Sequence, residues 1–172
     1  MAGSKWLAGI WDEHRRYPAL QRELGSHTKD APEFPVVVSR GGLGYARRMP
    51  RITVCIDVSD LERATAFYCN ALGCTLRTSK QTHHTLDADG TTVHLSLKAE
   101  GTLATPVPGT VRSYTRHWTP VHVDFDVEDV DAVAAEVERF GGHVEEMKRG
   151  GWGAAAFCAD PFGNGFCLLC LT

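Results

Sequence analysis

The sequence predicts an α+β fold built from two modules of the same β-α-β-β-β topology. The main observation is an internal repeat, in which residues 52–76 align with residues 121–145 at a constant offset of 69 positions. Each copy starts with an alternating apolar run, which is typical of a strand, and continues into a helical stretch that ends at glycine. Identical pairs in this alignment include Asp57 and Asp126, Val58 and Val127, Asp60 and Asp129, Ala66 and Ala135, and Gly73 and Gly142.

Module one is expected to span residues 50–98. Residues 52–58 alternate between apolar and polar side chains and therefore predict the first strand. The run from Ser59 to Glu62 fits a capping box, and the helix that follows should reach about residue 72 and stop at Gly73. Three further strands are predicted, at residues 74–78, 83–87 and 91–97.

Module two is expected to span residues 120–172 and to repeat the same order after a linker at residues 99–119. Its helix should open at Asp129 and end at the pair Gly141 and Gly142. Its strands are predicted at residues 121–127, 143–148, 152–159 and 166–171.

Residues 1–48 lack this pattern and are interpreted as an N-terminal extension. Four apolar residues near its start have helical spacing: Trp6, Leu7, Ile10 and Trp11. Pro18 then interrupts the pattern, so we expect a short helix followed by a linker. The repeat-bearing domain is accordingly expected at residues 49–172.

The composition is that of an ordinary globular chain, with 43% hydrophobic and 23% charged residues. A net charge of −3 and the absence of a Lys/Arg run argue against nucleic acid and anionic membranes as partners. No apolar stretch approaches the ~20 residues of a membrane span. The six cysteines lack the spacing of a secreted disulfide framework, so we expect reduced thiols in a cytoplasmic protein.

The repeat also carries the motifs of a known family. The strings VSDLERATAFYCNALGC, VHVDFDVEDVDAV, ERFGGHV and ADPFGNGFCLL together resemble the vicinal oxygen chelate superfamily. That group includes glyoxalase I, bleomycin-resistance proteins, fosfomycin-resistance enzymes and extradiol dioxygenases. The resemblance covers roughly residues 50–172 and implies two modules whose sheets curve around a cavity, usually in a homodimer.

The period of two residues in a strand separates the side chains by face. His122, Asp124 and Asp126 share one face of the first strand of module two, while the apolar residues between them face the helices. A face that carries carboxylates and histidines suits a solvated pocket better than a dry core. The predicted ligand-binding residues are Thr53, Asp57, His94, Ser96, His122, Asp124 and Cys167, with Trp152 at the rim.

The resemblance implies metal ligands on the first and last strand of each module. Those positions are occupied by Thr53, His94, His122 and Cys167. Thr53 departs from the family pattern, and Cys167 stands at a position where glutamate is usual. Three interpretations stay open for His94, His122 and Cys167: an open zinc site, direct contacts to an organic ligand, or isolated side chains that are satisfied locally.

The leading functional hypothesis is a protein that binds a drug or metabolite in a polar-lined cavity and sequesters or processes it. The alternative is a lyase, isomerase or dioxygenase that uses a divalent metal at a degenerate site. A third possibility is an interaction module that keeps the fold without the pocket. These residues do not assign a catalytic role, and the one cofactor they suggest is a divalent metal ion.

Overall fold

The computed structural model describes residues 51–117 and 119–172, so the predicted N-terminal extension lies outside the described residues. Module one consists of β1 (Thr53–Val58), α1 (Leu61–Asn70), β2 (Thr75–Lys80), β3 (His83–Ala88) and β4 (Thr91–Leu97). Module two consists of β5 (Val123–Asp126), α2 (Val130–Arg139), β6 (His143–Gly150), β7 (Gly153–Ala159) and β8 (Gly165–Leu171). The prediction of an α+β fold with two β-α-β-β-β modules is confirmed.

Each module forms its own four-stranded mixed sheet. The strand orders are β1-β4-β3-β2 and β5-β8-β7-β6, so the first strand of each module lies at one edge of its sheet. The first and last strands of a module pair in parallel, and the other pairs are antiparallel. In this register Cys55 lies opposite His94, and Asp124 lies opposite Cys167.

The two helices start at aspartates that the repeat predicts. The Asp60 carboxylate accepts a hydrogen bond from the Arg63 amide at 2.9 Å, and Asp129 caps α2 in the same way. Helix α1 therefore begins one residue later than a capping box from Ser59 to Glu62 requires. Aspartate is itself a preferred N-cap, and the Asp60 carboxylate caps the amide of Arg63, the third residue of the helix.

One apolar core runs through both modules. Its largest fully buried side chains are Phe67, Phe162, Leu86, Leu95, Leu168, Val58, Val137 and Cys158. The Phe67 ring of α1 packs edge-on against Phe166 of β8, with ring centroids 6.0 Å apart. Because burying a side chain of this size stabilises a fold by about 1.5–3 kcal/mol, these contacts hold α1 of module one against the sheet of module two.

A buried hydrogen-bond network also joins the modules. The Tyr68 hydroxyl donates to the Asp160 carboxylate at 2.9 Å, across 92 positions of the chain. The other carboxylate oxygen of Asp160 accepts from the amides of Phe162 and Asn164, which closes the turn before β8. The Asn164 side chain in turn donates to the Asp57 carbonyl at 3.5 Å. This network fixes the end of β1 relative to the turn of module two.

Two predicted boundaries are corrected by the structure. Strand β5 covers four residues rather than the predicted 121–127, and Val121 before it is 78% exposed instead of covered by a helix. Helix α1 ends at Asn70 rather than about residue 72, with Gly73 beyond it in the left-handed region at a φ of 69°. Neither described helix is long and apolar enough to cross a membrane.

Candidate functional site

A cavity of about 510 Å³ lies between the two modules, where residues of β1 and β5 face each other. Most of its wall is apolar and comes from the first strands of both modules. Its lining residues are Val54, Cys55, Ile56, Asp57, Tyr68, His117, Thr119, Val121, His122, Val123, Phe125, Asn164, Gly165 and Phe166. The buried network around Tyr68 and Asn164 therefore also shapes the wall of this cavity.

Two of the predicted ligand-binding residues, Asp57 and His122, line this cavity. The Asp57 carboxylate accepts a hydrogen bond from Arg112 Nε at 2.7 Å, and the Arg112 side chain is only 16% exposed. An ion pair with so little solvent around the cation holds the carboxylate in place. Asp57 thus contributes a fixed, largely neutralised acceptor to the wall.

His122 belongs to a compact cluster with Asp124 and Cys167. The His122 Nδ1 atom lies 2.7 Å from Asp124 Oδ1 and 3.9 Å from Cys167 Sγ. A carboxylate can only accept, so Nδ1 carries the proton and donates it to Asp124. This hydrogen bond fixes the orientation of the imidazole ring at the edge of the cavity.

Burial shapes the chemistry of the third member of this cluster. The Cys167 side chain is almost fully buried, and burial raises the pKa of its thiol to about 12, with further contributions from the charge of Asp124 and a hydrogen bond to it. The thiol is therefore protonated at neutral pH and acts as a weak donor rather than as a nucleophile.

The cluster fits a divalent cation by the chemistry of its donors. The imidazole, carboxylate and thiol atoms all lie within 4.8 Å of one another. Nitrogen, oxygen and sulfur donors of these types hold zinc and related metals, and three protein ligands leave a position open for substrate. A cation that uses Cys167 has to displace the thiol proton, so binding would release protons.

The predicted residues of module one do not join this cluster. His94 Nδ1 lies 3.2 Å from the Thr85 hydroxyl, and Ser96 Oγ lies 3.4 Å from Cys55 Sγ. Thr53 is exposed on β1. The structure therefore groups Asp124, rather than His94, with His122 and Cys167.

Trp152 lies on the sheet of module two, beside the same cysteine. It packs against a small apolar cluster formed by Ala155, Cys167 and Leu169. Phe157 belongs to this cluster as well and carries the Lys148 ammonium 4.7 Å above its ring. The strand pattern of the sequence did not single out Phe157, although the pairing of β7 with β8 places it directly opposite Cys167.

Much of the apolar wall was also missed. Val121, Val123 and Phe125 were assigned to the helix-covered face, yet all three line the cavity, together with Val54 and Ile56 of β1, which were not predicted to lie in a site. The reason is that β1 and β5 lie at sheet edges, so side chains from both faces reach the gap between them. Whether a strand lies at the edge of a sheet depends on how the strands pair. The alternation of side chains along one strand does not reveal that pairing.

Comparisons with known proteins agree on the fold. A family model described as a glyoxalase-like domain matches residues 53–169. A fosfomycin resistance protein from Listeria monocytogenes has a TM-score of 0.55 and 17% identity, and the match covers 78% of this chain and 96% of that one. A glyoxalase/bleomycin resistance protein from Albidiferax ferrireducens has a TM-score of 0.53 and 21% identity, covering 70% and 97% of the two chains. No curated protein matches the chain by sequence.

Proposed function

The chain belongs to the glyoxalase-like domain family, and on that premise we propose that it binds a small drug or metabolite in the cavity between β1 and β5 and sequesters or processes it. The observation that carries this proposal is the cavity itself. Its volume of about 510 Å³ falls within the roughly 300–1,000 Å³ that is usual for small-molecule sites.

The distribution of polar groups supports an organic ligand with a flat apolar body. Apolar side chains such as Val54, Ile56 and Phe125 form most of the wall. His122 and Asp57 add two polar groups whose positions are fixed by Asp124 and Arg112 respectively. Fixed polar groups on an apolar wall orient a ligand at a low entropic cost, because the side chains are already ordered.

A thermal-shift screen of drugs and metabolites tests the proposal, with two variants as controls. Val54→Trp fills the cavity, whereas Leu103→Trp adds the same side chain at an exposed linker position. A ligand at 100 times its Kd stabilises the folded protein by about 2.7 kcal/mol. We expect the shift to persist in Leu103→Trp and to disappear in Val54→Trp. A hit that stabilises both variants equally would place its site elsewhere, and a screen without hits would contradict the proposal.

The alternative, a metal-dependent lyase, isomerase or dioxygenase, is favoured by the cluster of His122, Asp124 and Cys167. A divalent cation held there would act as a Lewis acid towards a ligand oxygen in the adjoining cavity. The protein's own contribution would be to hold the cation with the imidazole of His122, the carboxylate of Asp124 and the thiolate of Cys167. Metal analysis after purification without added metal tests this alternative. Stoichiometric metal that is lost in His122→Ala would support it, and metal retained in that variant would exclude this cluster.

The proposed assembly is a homodimer. Both modules have large exposed apolar residues on or beside their strands: Ile52, Leu76 and Leu97 in module one, and Val121, Met147 and Leu171 in module two. A two-fold arrangement that sets module one of one copy against module two of the other would cover residues from both sets. Analytical ultracentrifugation should give a dimer that Leu76→Glu with Met147→Glu dissociates. A monomeric wild-type protein at micromolar concentration would contradict this.

The proposed location is the cytoplasm. All six cysteines are free thiols, including three that are buried. Free thiols persist in a reducing compartment, where glutathione and thioredoxin keep them reduced. Fractionation of cells that express the full chain tests this part of the proposal, and recovery in an oxidising compartment would overturn it.

A further inference from the structure

His84 on β3 is a buried histidine that the cavity between the modules does not use. Its residue surface is only 4% exposed. Two hydroxyl groups flank its ring: Thr65 Oγ1 of α1 lies 2.7 Å from Nδ1, and Ser79 Oγ of β2 lies 3.0 Å from Nε2. A buried imidazole with a hydroxyl at each nitrogen can pass a proton from one side of the ring to the other.

The hairpin between β2 and β3 fixes the pairing of Ser79 with His84. The two residues are direct cross-strand partners in the antiparallel register. His84 is buried, whereas Ser79 is exposed on an edge strand. The hydroxyl that a substrate can reach is therefore the one that contacts the imidazole.

Ser79 and His84 open onto a second cavity, of about 480 Å³. Its lining residues are Asp60, Leu61, Glu62, Ser79, Lys80, Gln81, His84 and Leu97. It shares no lining residue with the cavity between β1 and β5. Any chemistry at this place is thus separate from the proposed ligand site.

We propose that Ser79 and His84 form a nucleophile and general-base pair that hydrolyses small neutral carboxylic esters. In the productive tautomer the His84 Nδ1–H donates to Thr65 Oγ1, and Nε2 accepts the Ser79 hydroxyl proton. This arrangement of a nucleophile, a base within hydrogen-bond reach and a third group that orients the base is that of an activated serine.

The reaction balances with water as the only co-reactant. Ser79 Oγ attacks the ester carbonyl carbon, its proton moves to His84 Nε2, and the C–O bond to the alcohol breaks as Nε2 returns the proton to the leaving oxygen. Water then attacks the acyl-serine with His84 again as the base, which releases the carboxylic acid and restores Ser79.

The same cavity contains groups that can stabilise the oxyanion. The first turn of α1 contributes Leu61 and Glu62 to the lining, and the amides at a helix start point out of the helix. Lys80 also lines this cavity and adds a positive charge. The carboxylates of Asp60 and Glu62 also line this cavity and repel anionic substrates, so neutral esters are better suited.

The test uses p-nitrophenyl acetate as substrate and a fluorophosphonate as a covalent probe. We expect one phosphonyl group per chain, on the peptide that contains Ser79, and ester hydrolysis that falls about 100-fold in Ser79→Ala. Ser113→Ala, which removes an exposed linker serine, should leave both readouts unchanged. Absence of a Ser79 adduct together with equal hydrolysis by wild-type protein and Ser79→Ala would overturn the proposal.

A second variant tests the role of His84 without disturbing its buried position. In Ser79→Cys, a base at Nε2 should deprotonate the thiol, so iodoacetamide should alkylate Cys at position 79 several-fold faster near neutral pH than it alkylates Cys55 in the same chain. Mass spectrometry separates the two peptides. If the introduced thiol reacts no faster than Cys55, the imidazole is not acting as a base and the pair has only a structural role.

Discussion

The two modules have the same topology but carry different side chains at equivalent positions. The offset of 69 residues places His122 at the position of Thr53 and Asp124 at that of Cys55. The parallel strand pairs then set Cys167 of module two at the position of His94 in module one. Module two brings its three residues into one cluster, whereas the side chains of Cys55 and His94 hydrogen-bond to Ser96 and Thr85.

The difference shows which part of the arrangement comes from the scaffold and which from the side chains. The scaffold brings the three positions together in both sheets. A cluster forms only where a carboxylate can accept the imidazole proton, as Asp124 does for His122. Module one has Thr53 in place of His122 and Cys55 in place of Asp124, so the same strand geometry holds neither this imidazole nor a carboxylate that could orient it.

The largest expected effect is the loss of stability when the hydrogen bond between Tyr68 and Asp160 is removed. Tyr68 reaches Asp160 of module two, while the repeat places the apolar Val137 at the corresponding position of α2. Asp160→Ala leaves the Tyr68 hydroxyl and two amides without an acceptor in the core, so we expect a loss of about 3 kcal/mol. Tyr68→Phe removes a single donor and should cost about 1 kcal/mol. Urea denaturation measures both, and equal losses would contradict the proposed network.

The next prediction compares His122 of module two with Thr53, which stands at the equivalent position of module one. His122→Ala should weaken the binding of a bound metal or ligand by about 10- to 100-fold, because an oriented donor is lost. Thr53→Ala at the equivalent position should change the affinity less than about two-fold. Isothermal titration calorimetry measures both variants. Similar losses in both would show that the modules contribute equally, and the proposed asymmetry would fail.

Alkaline pH should affect the two modules to different extents. Burial raises the pKa of Cys158 in module two to about 12 and that of Cys74 in module one to about 11. A thiol with a raised pKa in the folded state stabilises the fold below its unfolded pKa, and that stability is lost as pH rises towards the folded pKa. We expect unfolding free energy to fall by roughly 1–2 kcal/mol per thiol by about pH 10.

Single variants separate the contributions of these two thiols. Cys158→Ala and Cys74→Ala should each flatten the alkaline limb of the stability curve, with the larger change above pH 11 in Cys158→Ala. Cys55→Ala, at the exposed thiol, serves as the matched control. Unchanged slopes in both buried variants would show that these thiols do not titrate with unfolding.

The smallest expected effect is a change in the free energy of unfolding at acidic pH. The Arg116 guanidinium holds the pKa of Glu145 below its usual range. A carboxyl group whose pKa is lowered in the folded state stabilises the fold above its unfolded pKa. That stability is lost as pH falls through the folded pKa. Since the pair is partly exposed, Glu145→Gln should cost only about 0.5 kcal/mol near neutral pH and nothing once the carboxyl is protonated. A cost that stays constant with pH would contradict the ion pair.

The sequence predicts the modules because their evidence is local. Strand alternation and helix caps at Asp60 and Asp129 depend on neighbouring residues, and the 69-residue offset repeats them. His122 and Asp124 are two residues apart, so the period of a strand already places them on one side. The sequence does not predict contacts such as Tyr68 with Asp160 or Thr65 with His84, because helix packing alone brings these groups together.

A crystal structure of the protein with the strongest hit from the thermal-shift screen is the most decisive test of the proposal that the cavity between β1 and β5 binds a small organic ligand. We expect the ligand to pack against Val54 and Phe125, with a polar atom within hydrogen-bond distance of His122. A ligand bound outside this cavity, or a cavity closed by repacked side chains in the complex, would contradict it.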